Sequence, residues 1–348
     1  FIDTSNRAMP EFQKKLGLRI HQSNLCSEII LPTNKERTAV CCLSSVNLEH
    51  YDAWSKNQLF LRDMAEMLDN VLQFFIDNAP DAVSRARFSA QRERSVGIGA
   101  LGFHAYLQKK SMPFECAMAK VLNNRIFSHI KTKVDEANLQ LGSERGEAPD
   151  AEGTGRRFSH TMAIAPNASS SIIMGNTSPS IEPYRANAYR QDTLSGAFLN
   201  KNKYLVELID RKIEEGATKL DADEIWSSII ANDGSVQHLR WLQPEEKDVF
   251  KTAMEIDQRW IIEHAADRQL YLDQSQSLNV FFRPDTNIVY LHTVHFLAWK
   301  KGVKTMYYCR SEKLGKADKV SARIERQVIK EIDLSAVIDD GECLACEG

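Results

Sequence analysis

Ser23-Asn24-Leu25-Cys26-Ser27-Glu28 is a short stretch in which one thiol stands between an amide and a carboxylate. In an extended or tightly looped backbone, side chains two residues apart point to the same side. Asn24, Cys26 and Glu28 are therefore expected to converge on one small object. An amide donates and accepts hydrogen bonds, a carboxylate moves protons, and a thiol acts as a nucleophile or hydrogen-atom donor. The alternative is a buried structural cysteine in a polar loop.

Further motifs follow this loop along the sequence. Cys41 opens a run rich in strand formers, and the neighbouring Cys42 is expected to point to the opposite face of that strand. The other motifs are Ala165-Pro166-Asn167-Ala168-Ser169-Ser170-Ser171, Lys304-Thr305-Met306-Tyr307-Tyr308 and Cys343-Leu344-Ala345-Cys346. In this order, together with the Cys26 loop, the chain resembles the large subunit of class I ribonucleotide reductase. The resemblance runs through nearly the whole chain but covers only the C-terminal half of that subunit.

The resemblance implies an α/β fold, namely the second half of a ten-stranded α/β barrel. It also implies an inserted finger loop that carries a radical cysteine, a C-terminal α/β region and a flexible tail. We expect the lead-in and finger loop in residues 1–36, the half-barrel and α/β region in 37–314, and the redox-active tail in 315–348. Because the chain starts at Phe1 and soon enters a functional loop, we expect a truncated or split polypeptide.

Local patterns predict helices that alternate with strands, which favours a parallel sheet. Residues 1–22 indicate an irregular lead-in. Apolar periodicity predicts helices at 55–75, 117–141, 202–216, 222–232, 244–265 and 287–301, with Gly142 ending the second. Besides the run at Cys41, strands are predicted at 160–165, 278–282 and 303–309.

Gly97, Gly99 and Gly102 have the spacing of a dinucleotide-binding loop. A true site of this kind follows a buried strand, whereas the preceding residues 85–94 are rich in arginine. We therefore interpret these glycines as positions of close backbone packing. His104 is interpreted as a structural histidine, and Cys116 as a small apolar filler.

Composition excludes several classes of protein. The 348 residues are 43% hydrophobic and 26% charged, as in an ordinary globular protein, and the net charge of -3 argues against a nucleic-acid binder. The sequence has neither a membrane-spanning apolar run nor a signal-peptide core. The 7 cysteines are odd in number and irregularly spaced, which argues against a secreted disulfide framework. A cytoplasmic protein with reduced thiols is expected.

The C-terminal tail carries Cys343 and Cys346 in a segment rich in acidic residues. Its composition predicts a mobile arm, where an accessible dithiol suits thiol–disulfide exchange. A zinc half-site or incidental cysteines are the alternatives. In the family, such a pair reduces the active-site disulfide and is then reduced by thioredoxin or glutaredoxin.

Tyr307 and Tyr308 are adjacent in a predicted strand, so one ring could face the site and the other a subunit interface. Aromatic core packing is the alternative. In the family, such a pair passes an oxidising equivalent from the small subunit to the cysteine that matches Cys26.

The segment after Pro166 follows a predicted strand and opens a helix, where exposed N–H groups favour an anion. A plain N-cap is the alternative. The family binds the substrate diphosphate at this loop. The substrate-binding residues implied here are Ser23, Asn167, Ala168, Ser169 and Ser170.

The resemblance implies a thiyl-radical mechanism. Cys26 takes the C3′ hydrogen of a ribonucleoside diphosphate, Glu28 acts as general base on the 3′-hydroxyl, and Asn24 bonds the sugar hydroxyls. Cys41 is one of two thiols that reduce C2′. The second thiol and the main effector sites belong to a part of the family's subunit that precedes this sequence, and neither Cys116 nor Cys309 has the matching context.

We therefore expect an N-terminal half of the large subunit and a small radical-generating subunit as partners. No cofactor or metal is expected to bind this chain directly, since the radical and its metal belong to the small subunit. A non-catalytic scaffold subunit of the same fold and a cobalamin-dependent reductase are the competing interpretations. The latter would not need the tyrosine pair.

Overall fold

A computed structural model of the chain describes residues 1–193 and 196–311. The strands are β1 (Cys42–Asn47), β2 (Val96–Leu101), β3 (Ala188–Thr193), β4 (Gly196–Lys201), β5 (Val280–Phe282) and β6 (Cys309–Ser311). The helices are α1 (Ile2–Arg7), α2 (Glu11–Lys15), α3 (Tyr51–Trp54), α4 (Phe60–Asn78), α5 (Ser84–Glu93), α6 (Phe103–Lys109), α7 (Ala117–Arg145), α8 (Ala168–Ile173), α9 (Lys203–Glu214), α10 (Ala222–Ala231), α11 (Pro244–Val249), α12 (Gln258–Gln269) and α13 (Ile288–Lys300).

The organising element is a parallel sheet. Strand β1 pairs with β2, and β5 pairs with β6, both in parallel. Residues 160–165 join the two pairs, because the Val96 amide donates to the His160 carbonyl at 3.1 Å and Ile164 forms a parallel bridge with Gln276. The extended segments thus lie side by side in chain order, as in one half of a barrel. The prediction of an α/β fold with parallel strands is confirmed.

Two glycines allow the close approach within this sheet. Strand β2 is buried along its whole length. A Cβ added at Gly99 would lie well inside contact distance of the Ala163 carbonyl oxygen, and one added at Gly97 would meet the Leu43 side chain. The Gly-x-Gly spacing therefore serves packing between neighbouring strands, and no dinucleotide-binding turn is formed at it.

The main core lies between the sheet and the helices around it. The pair of strands β1 and β2 packs on α4, and α4 packs on α7. Helix α7 also contacts α12. A second cluster joins β3, α9, α10 and the region of α11 through Leu205, Ile209, Ile225 and Trp226. No helix in the described ranges is long and apolar enough to cross a membrane.

Several local predictions were wrong at their edges. Helix α7 continues through Gly142 to Arg145, with Gly146 as its C-cap. Gly142 is a packing position, because a side chain there would clash with the Gly155 carbonyl. The predicted helix at 244–265 is two helices, α11 and α12, and Asp257 caps the second. The lead-in contains α1 and α2 and is not irregular. Residues 303–308 are not strand, since β6 begins at Cys309.

Candidate active site

The segment predicted to be the finger loop, residues 23–29, is closed by its own asparagine. The backbone N–H of Asn24 donates to the Ile29 carbonyl at 3.1 Å, and the backbone N–H of Ile29 donates to Asn24 Oδ1 at 3.0 Å. Between them, Ser27 adopts a left-handed conformation with φ of 71°, which costs a non-glycine residue of the order of 1 kcal/mol. Ser23 Oγ donates to the Asn24 carbonyl at 2.9 Å. Asn24 thus shapes the turn that presents Cys26.

Hydroxyl groups from the barrel hold this turn in place. Ser277 Oγ lies 2.5 Å from the Cys26 carbonyl oxygen and 3.0 Å from Glu28 Oε2. Thr305 Oγ1 donates to the Ser27 carbonyl at 2.7 Å, which supports the left-handed residue. Glu28 is only 3% exposed. The loop is therefore held through the Cys26 and Ser27 carbonyls and the Glu28 carboxylate.

The thiol is next to the tyrosine pair. Cys26 Sγ donates to the Tyr307 hydroxyl oxygen across 3.6 Å. The Tyr307 and Tyr308 rings have centroids 4.0 Å apart and planes inclined by 35°. Tyr308 is 39% exposed, and the Arg310 guanidinium lies 4.8 Å from its ring centroid. A thiol is thus connected to the surface through two rings in contact.

This geometry corrects one sequence-based expectation. Tyr307 and Tyr308 were expected on a strand, with their side chains on opposite faces. They lie directly before β6 instead, and their rings contact one another. One tyrosine still faces the interior and the other the surface, because Tyr307 contacts Cys26 and Tyr308 is exposed to solvent.

Cys41 lies immediately before β1, against a small apolar group formed by Ile29, Leu31 and Ala163. Cys42 packs instead against the main core, so the two neighbouring thiols face different sides, as expected. Gln274 Nε2 donates to Cys41 Sγ at 3.3 Å. Burial raises the pKa of the Cys41 thiol far above its ordinary value, and the Gln274 hydrogen bond partly opposes this.

Two other cysteines have different surroundings. Cys116 is the N-cap of α7, where its sulfur accepts the Ala119 amide at 3.3 Å. Cys309 is exposed at the start of β6. Cys116 is therefore a capping residue and more than a filler. Cys343 and Cys346 lie outside the described residues.

The loop after Pro166 is tied to the sheet. Asn167 is left-handed, with φ of 54°, and its Nδ2 donates to the Ala165 carbonyl at 2.9 Å and to Ser45 Oγ at 3.1 Å. The Asn167 side chain is thus occupied by the fold. Ser169 and Ser170 are exposed in the first turn of α8.

A cavity of about 330 Å³ adjoins the tyrosine pair. Its lining includes Pro166, Ala168, Glu182, Arg185, Tyr307 and Arg310. Glu182 is 3% exposed and accepts a hydrogen bond from Asn279 Nδ2 at 2.5 Å. Burial raises the pKa of Glu182 to about 7, although the charges of Arg185 and Arg310 act in the opposite direction. Within the described ranges, no group of three or more His, Cys, Asp or Glu side chains could hold a metal ion.

Sequence reasoning missed the residues that hold the loop. Gln274, Ser277 and Thr305 all have buried side chains that contact the finger loop or Cys41. The available signal was the polar run Asp273-Gln274-Ser275-Gln276-Ser277 directly before a strand. A polar run that the fold buries must find partners for its hydrogen-bonding groups, and here those partners are the site.

Comparison with known proteins now decides the family. The family model described as "Ribonucleotide reductase, barrel domain" matches residues 1–154 and 148–309. The chain belongs to this family. The ribonucleoside-diphosphate reductase large subunit of Invertebrate iridescent virus 3 is 53% identical over 348 residues, which are 100% of this chain and 54% of that protein. The large subunit from Caenorhabditis elegans is 33% identical, with 100% of this chain and 48% of that protein covered.

A solved structure gives the same result. The Actinobacillus ureae class Id ribonucleotide reductase alpha subunit matches this ribonucleotide reductase barrel with a TM-score of 0.83 and 39% identity. The match covers 90% of this chain and 57% of that one. The chain spans about half the length of the large subunits it matches. The sequence-based resemblance and the barrel fold are therefore confirmed, whereas the domain boundaries and residue roles stay predictions.

Proposed function

We propose that this chain is the C-terminal part of the catalytic large subunit of a ribonucleoside-diphosphate reductase, which forms 2′-deoxyribonucleoside diphosphates by a thiyl-radical mechanism. The observation that carries this proposal is the contact of 3.6 Å between Cys26 and Tyr307, continued by the ring of the exposed Tyr308, whose centroid lies 4.0 Å from that of Tyr307. A buried structural cysteine would need neither an adjacent phenol nor a second ring leading to the surface.

In this proposal the tyrosine pair carries the oxidising equivalent. An electron leaves Cys26 through Tyr307 and Tyr308 towards the small subunit, and the thiol proton leaves with it, so a thiyl radical remains. The cation of Arg310 over the Tyr308 ring places a charged group at the outer end of this path. Such a contact is a modest attraction of about 0.5–1 kcal/mol at an exposed ring.

The thiyl radical of Cys26 then takes the C3′ hydrogen of the substrate. Glu28 is the base for the 3′-hydroxyl, and Ser277 fixes one of its oxygens at 3.0 Å. Asn24 presents its remaining side-chain donor to the sugar, since its Oδ1 accepts from Ile29. Loss of water from C2′ is followed by transfer of two electrons and two protons from Cys41 and a second thiol, which close a disulfide.

The diphosphate is bound by the start of α8. The Asn167 side-chain amide already donates hydrogen bonds to Ala165 and Ser45. The groups that bind the diphosphate are therefore the backbone N–H groups and the exposed hydroxyls of Ser169 and Ser170. Backbone donors at a helix start suit phosphate oxygens. Ala168, at the edge of the cavity beside Tyr307, leaves room for the ligand.

The partners follow from what this chain contributes. The N-terminal part of the large subunit supplies the second reducing thiol and the main effector sites, and the small subunit supplies the radical and its metal. Cys343 and Cys346 pass reducing equivalents from thioredoxin or glutaredoxin to the Cys41 disulfide. This chain supplies the finger loop, half of the barrel and the tyrosine pair.

The test is the reduction of labelled CDP by this chain mixed with an N-terminal large-subunit part and a small subunit, with dithiothreitol as reductant. Wild type is expected to form dCDP, and Cys26→Ser and Tyr307→Phe are expected to form none. Cys116→Ser is the matched control, because serine retains a cap at α7 and activity should be unchanged. Stable assembly of all chains without dCDP would refute catalysis and favour a scaffold subunit. Activity that survives Tyr307→Phe would refute the relay.

A further inference from the structure

Gln274 is a buried side chain that contacts both the finger loop and Cys41. Gln274 is 0% exposed. Its Nε2 donates to Cys41 Sγ at 3.3 Å and lies 3.4 Å from the Val96 carbonyl oxygen of β2. Its Oε1 accepts the Ile30 amide at 3.3 Å, directly after the loop that carries Cys26 and Glu28. One amide group therefore connects the two functional thiol regions of the proposed site.

The backbone around Gln274 is fixed from both sides. Its amide donates to the Met162 carbonyl at 3.1 Å, and its carbonyl accepts from Lys304 Nζ at 2.9 Å. The same ammonium group donates to the Leu272 and Asp273 carbonyls at 2.9 and 2.8 Å. Three carbonyls held by one buried cation leave the segment little freedom, so the position of the Gln274 amide is set by the fold.

The groups around Cys41 oppose the formation of a thiolate, and the Gln274 amide favours it. Asp273, Glu28 and Cys42 each disfavour a negative charge on the Cys41 sulfur, and burial disfavours it more. Gln274 is the group that acts in the opposite direction. An N–H donor binds a thiolate more strongly than a neutral thiol or a disulfide sulfur, because the bond to the anion is charge-assisted.

We propose that Gln274 is a positioning residue that stabilises the Cys41 thiolate when the Cys41 disulfide is reduced, and that couples this sulfur to the finger loop through Ile30. The inference rests on the proposed function, since it takes Cys41 as one of the reducing thiols. Neither the sequence motifs nor the family comparison assigns a role to Gln274.

The chemical step is a thiol–disulfide exchange. A thiolate of a dithiol reductant attacks the sulfur that is bonded to Cys41, and a new S–S bond forms to that sulfur. The old S–S bond breaks, and Cys41 leaves with the electron pair as a thiolate that Gln274 stabilises and that then takes a proton. A second exchange closes the reductant disulfide and releases the partner thiol. A hydrogen bond to the departing thiolate makes a sulfur a better leaving group, so Gln274 speeds the step in which Cys41 leaves.

The test is residue-resolved alkylation of the full chain by iodoacetamide at pH 8.5, with Cys42→Ala in the background so that Cys41 is read alone. Only the thiolate reacts, so the rate falls tenfold for each unit by which the thiol pKa rises. Loss of a hydrogen bond to a charged group predicts that Gln274→Met slows Cys41 by roughly 10- to 100-fold. A purely structural role predicts the opposite sign, because loosened packing exposes Cys41 and speeds its alkylation.

Gln274→Glu separates the two contacts. The carboxylate retains an acceptor for Ile30, loses the donor to Cys41 and adds a negative charge beside the sulfur, so Gln274→Glu should slow Cys41 alkylation more than Gln274→Met does. We expect slowed Cys41 alkylation with Ile30 amide exchange as in wild type, whereas Gln274→Met should also speed that exchange. Cys116, which caps α7, is the internal control, and its rate should not change in a folded variant. An unchanged or faster Cys41 rate in Gln274→Glu, with Cys116 unchanged, would overturn the inference.

A second readout separates this inference from the proposed function. In the assembled enzyme, Gln274→Met should reduce multiple turnover with dithiothreitol more than the single turnover made without reductant. Equal losses in both would overturn the assignment to disulfide reduction. The alkylation experiment needs neither substrate nor partner. If wild type forms no dCDP, the proposed function fails, while the pairing of Gln274 with Cys41 is still decided by its own measurement.

Discussion

The buried Glu182 carboxyl beside the tyrosine pair predicts a specific pH dependence of stability. Glu182 lines the cavity at Tyr307 and is 3% exposed. We consider the substitution Glu182→Gln, which removes the ionisable group and retains an oxygen that can accept from Asn279, at 2.5 Å in the wild type. The comparison therefore isolates the titration of one side chain with almost no change in its volume.

The magnitude follows from the two pKa values. Burial raises the pKa of Glu182 from 4.5 to about 7, and this difference corresponds to about 3 kcal/mol at 1.36 kcal/mol per pKa unit. Between these pH values the unfolded chain has lost the proton and the folded chain retains it. The folded state binds more protons, so the free energy of unfolding falls as pH rises through this window. The full loss of about 3 kcal/mol is reached above pH 7.

The assay is urea unfolding of wild type and Glu182→Gln from pH 4 to 8. The free energy of unfolding of wild type, minus that of the variant, should fall by about 3 kcal/mol across this range. Glu93, whose pKa burial also raises to about 7, is present in both proteins and cancels. Glu214→Gln at an exposed position of α9 is the matched control and should give a flat difference. A flat or rising difference for Glu182→Gln would refute the reasoning, since a rise would mean that the arginines outweigh burial.

Three further predictions concern the sheet, the finger loop and Lys304. In urea unfolding, Gly99→Ala should destabilise the chain by about 1–3 kcal/mol or more, and by more than Gly97→Ala does. The reason is that a new side chain at Gly99 meets rigid backbone, whereas one at Gly97 meets the flexible end of the Leu43 side chain. Equal losses of stability would contradict this. Ser277→Ala should cost about 1–3 kcal/mol by the same measurement because Glu28 loses a buried partner, and Ser277→Thr should restore part of it. Burial lowers the pKa of Lys304 from 10.5 to about 8, so between these pH values the folded state binds fewer protons than the unfolded state. The free energy of unfolding of wild type should therefore rise with pH across this window relative to that of Lys304→Met. Parallel pH profiles of the two proteins would contradict this prediction.

The sequence was sufficient for the fold, whereas the roles of the site residues stay predictions. Side chains two residues apart in the Cys26 loop predicted a convergent group, and the family resemblance implied a tyrosine beside Cys26; the Tyr307 hydroxyl lies 3.6 Å from that thiol. The glycines at 97 and 99 were understood as packing positions because the residues before them could not form a buried strand. Such inferences depend on local pattern and order, which a sequence contains directly.

Other features could not be inferred because they depend on partners distant in sequence. Gly142 has the local signature of a helix stop, yet α7 continues past it, and the residue is a glycine because the Gly155 backbone packs where a side chain would stand. Gln274 looks like a surface residue in a polar run until Cys41 and Ile30 are brought to it by the barrel. The ring contact between Tyr307 and Tyr308 was not predicted, nor was the start of β6 at Cys309, since element ends are what local propensity determines least well.

The short segment from Gln274 to Val280 positions both ends of the proposed electron path. Ser277 holds the Cys26 carbonyl at 2.5 Å, while the Leu278 carbonyl accepts the Tyr307 amide at 2.9 Å. Asn279 Oδ1 accepts the Tyr308 amide at 3.0 Å. Thiol and rings are thus fixed to successive residues of one segment, so their separation does not depend on the relative motion of independent elements. Under the proposed function, a loop that presents a radical gains a constant distance to the tyrosine pair from this shared support, and the buried polar run before β5 supplies that support.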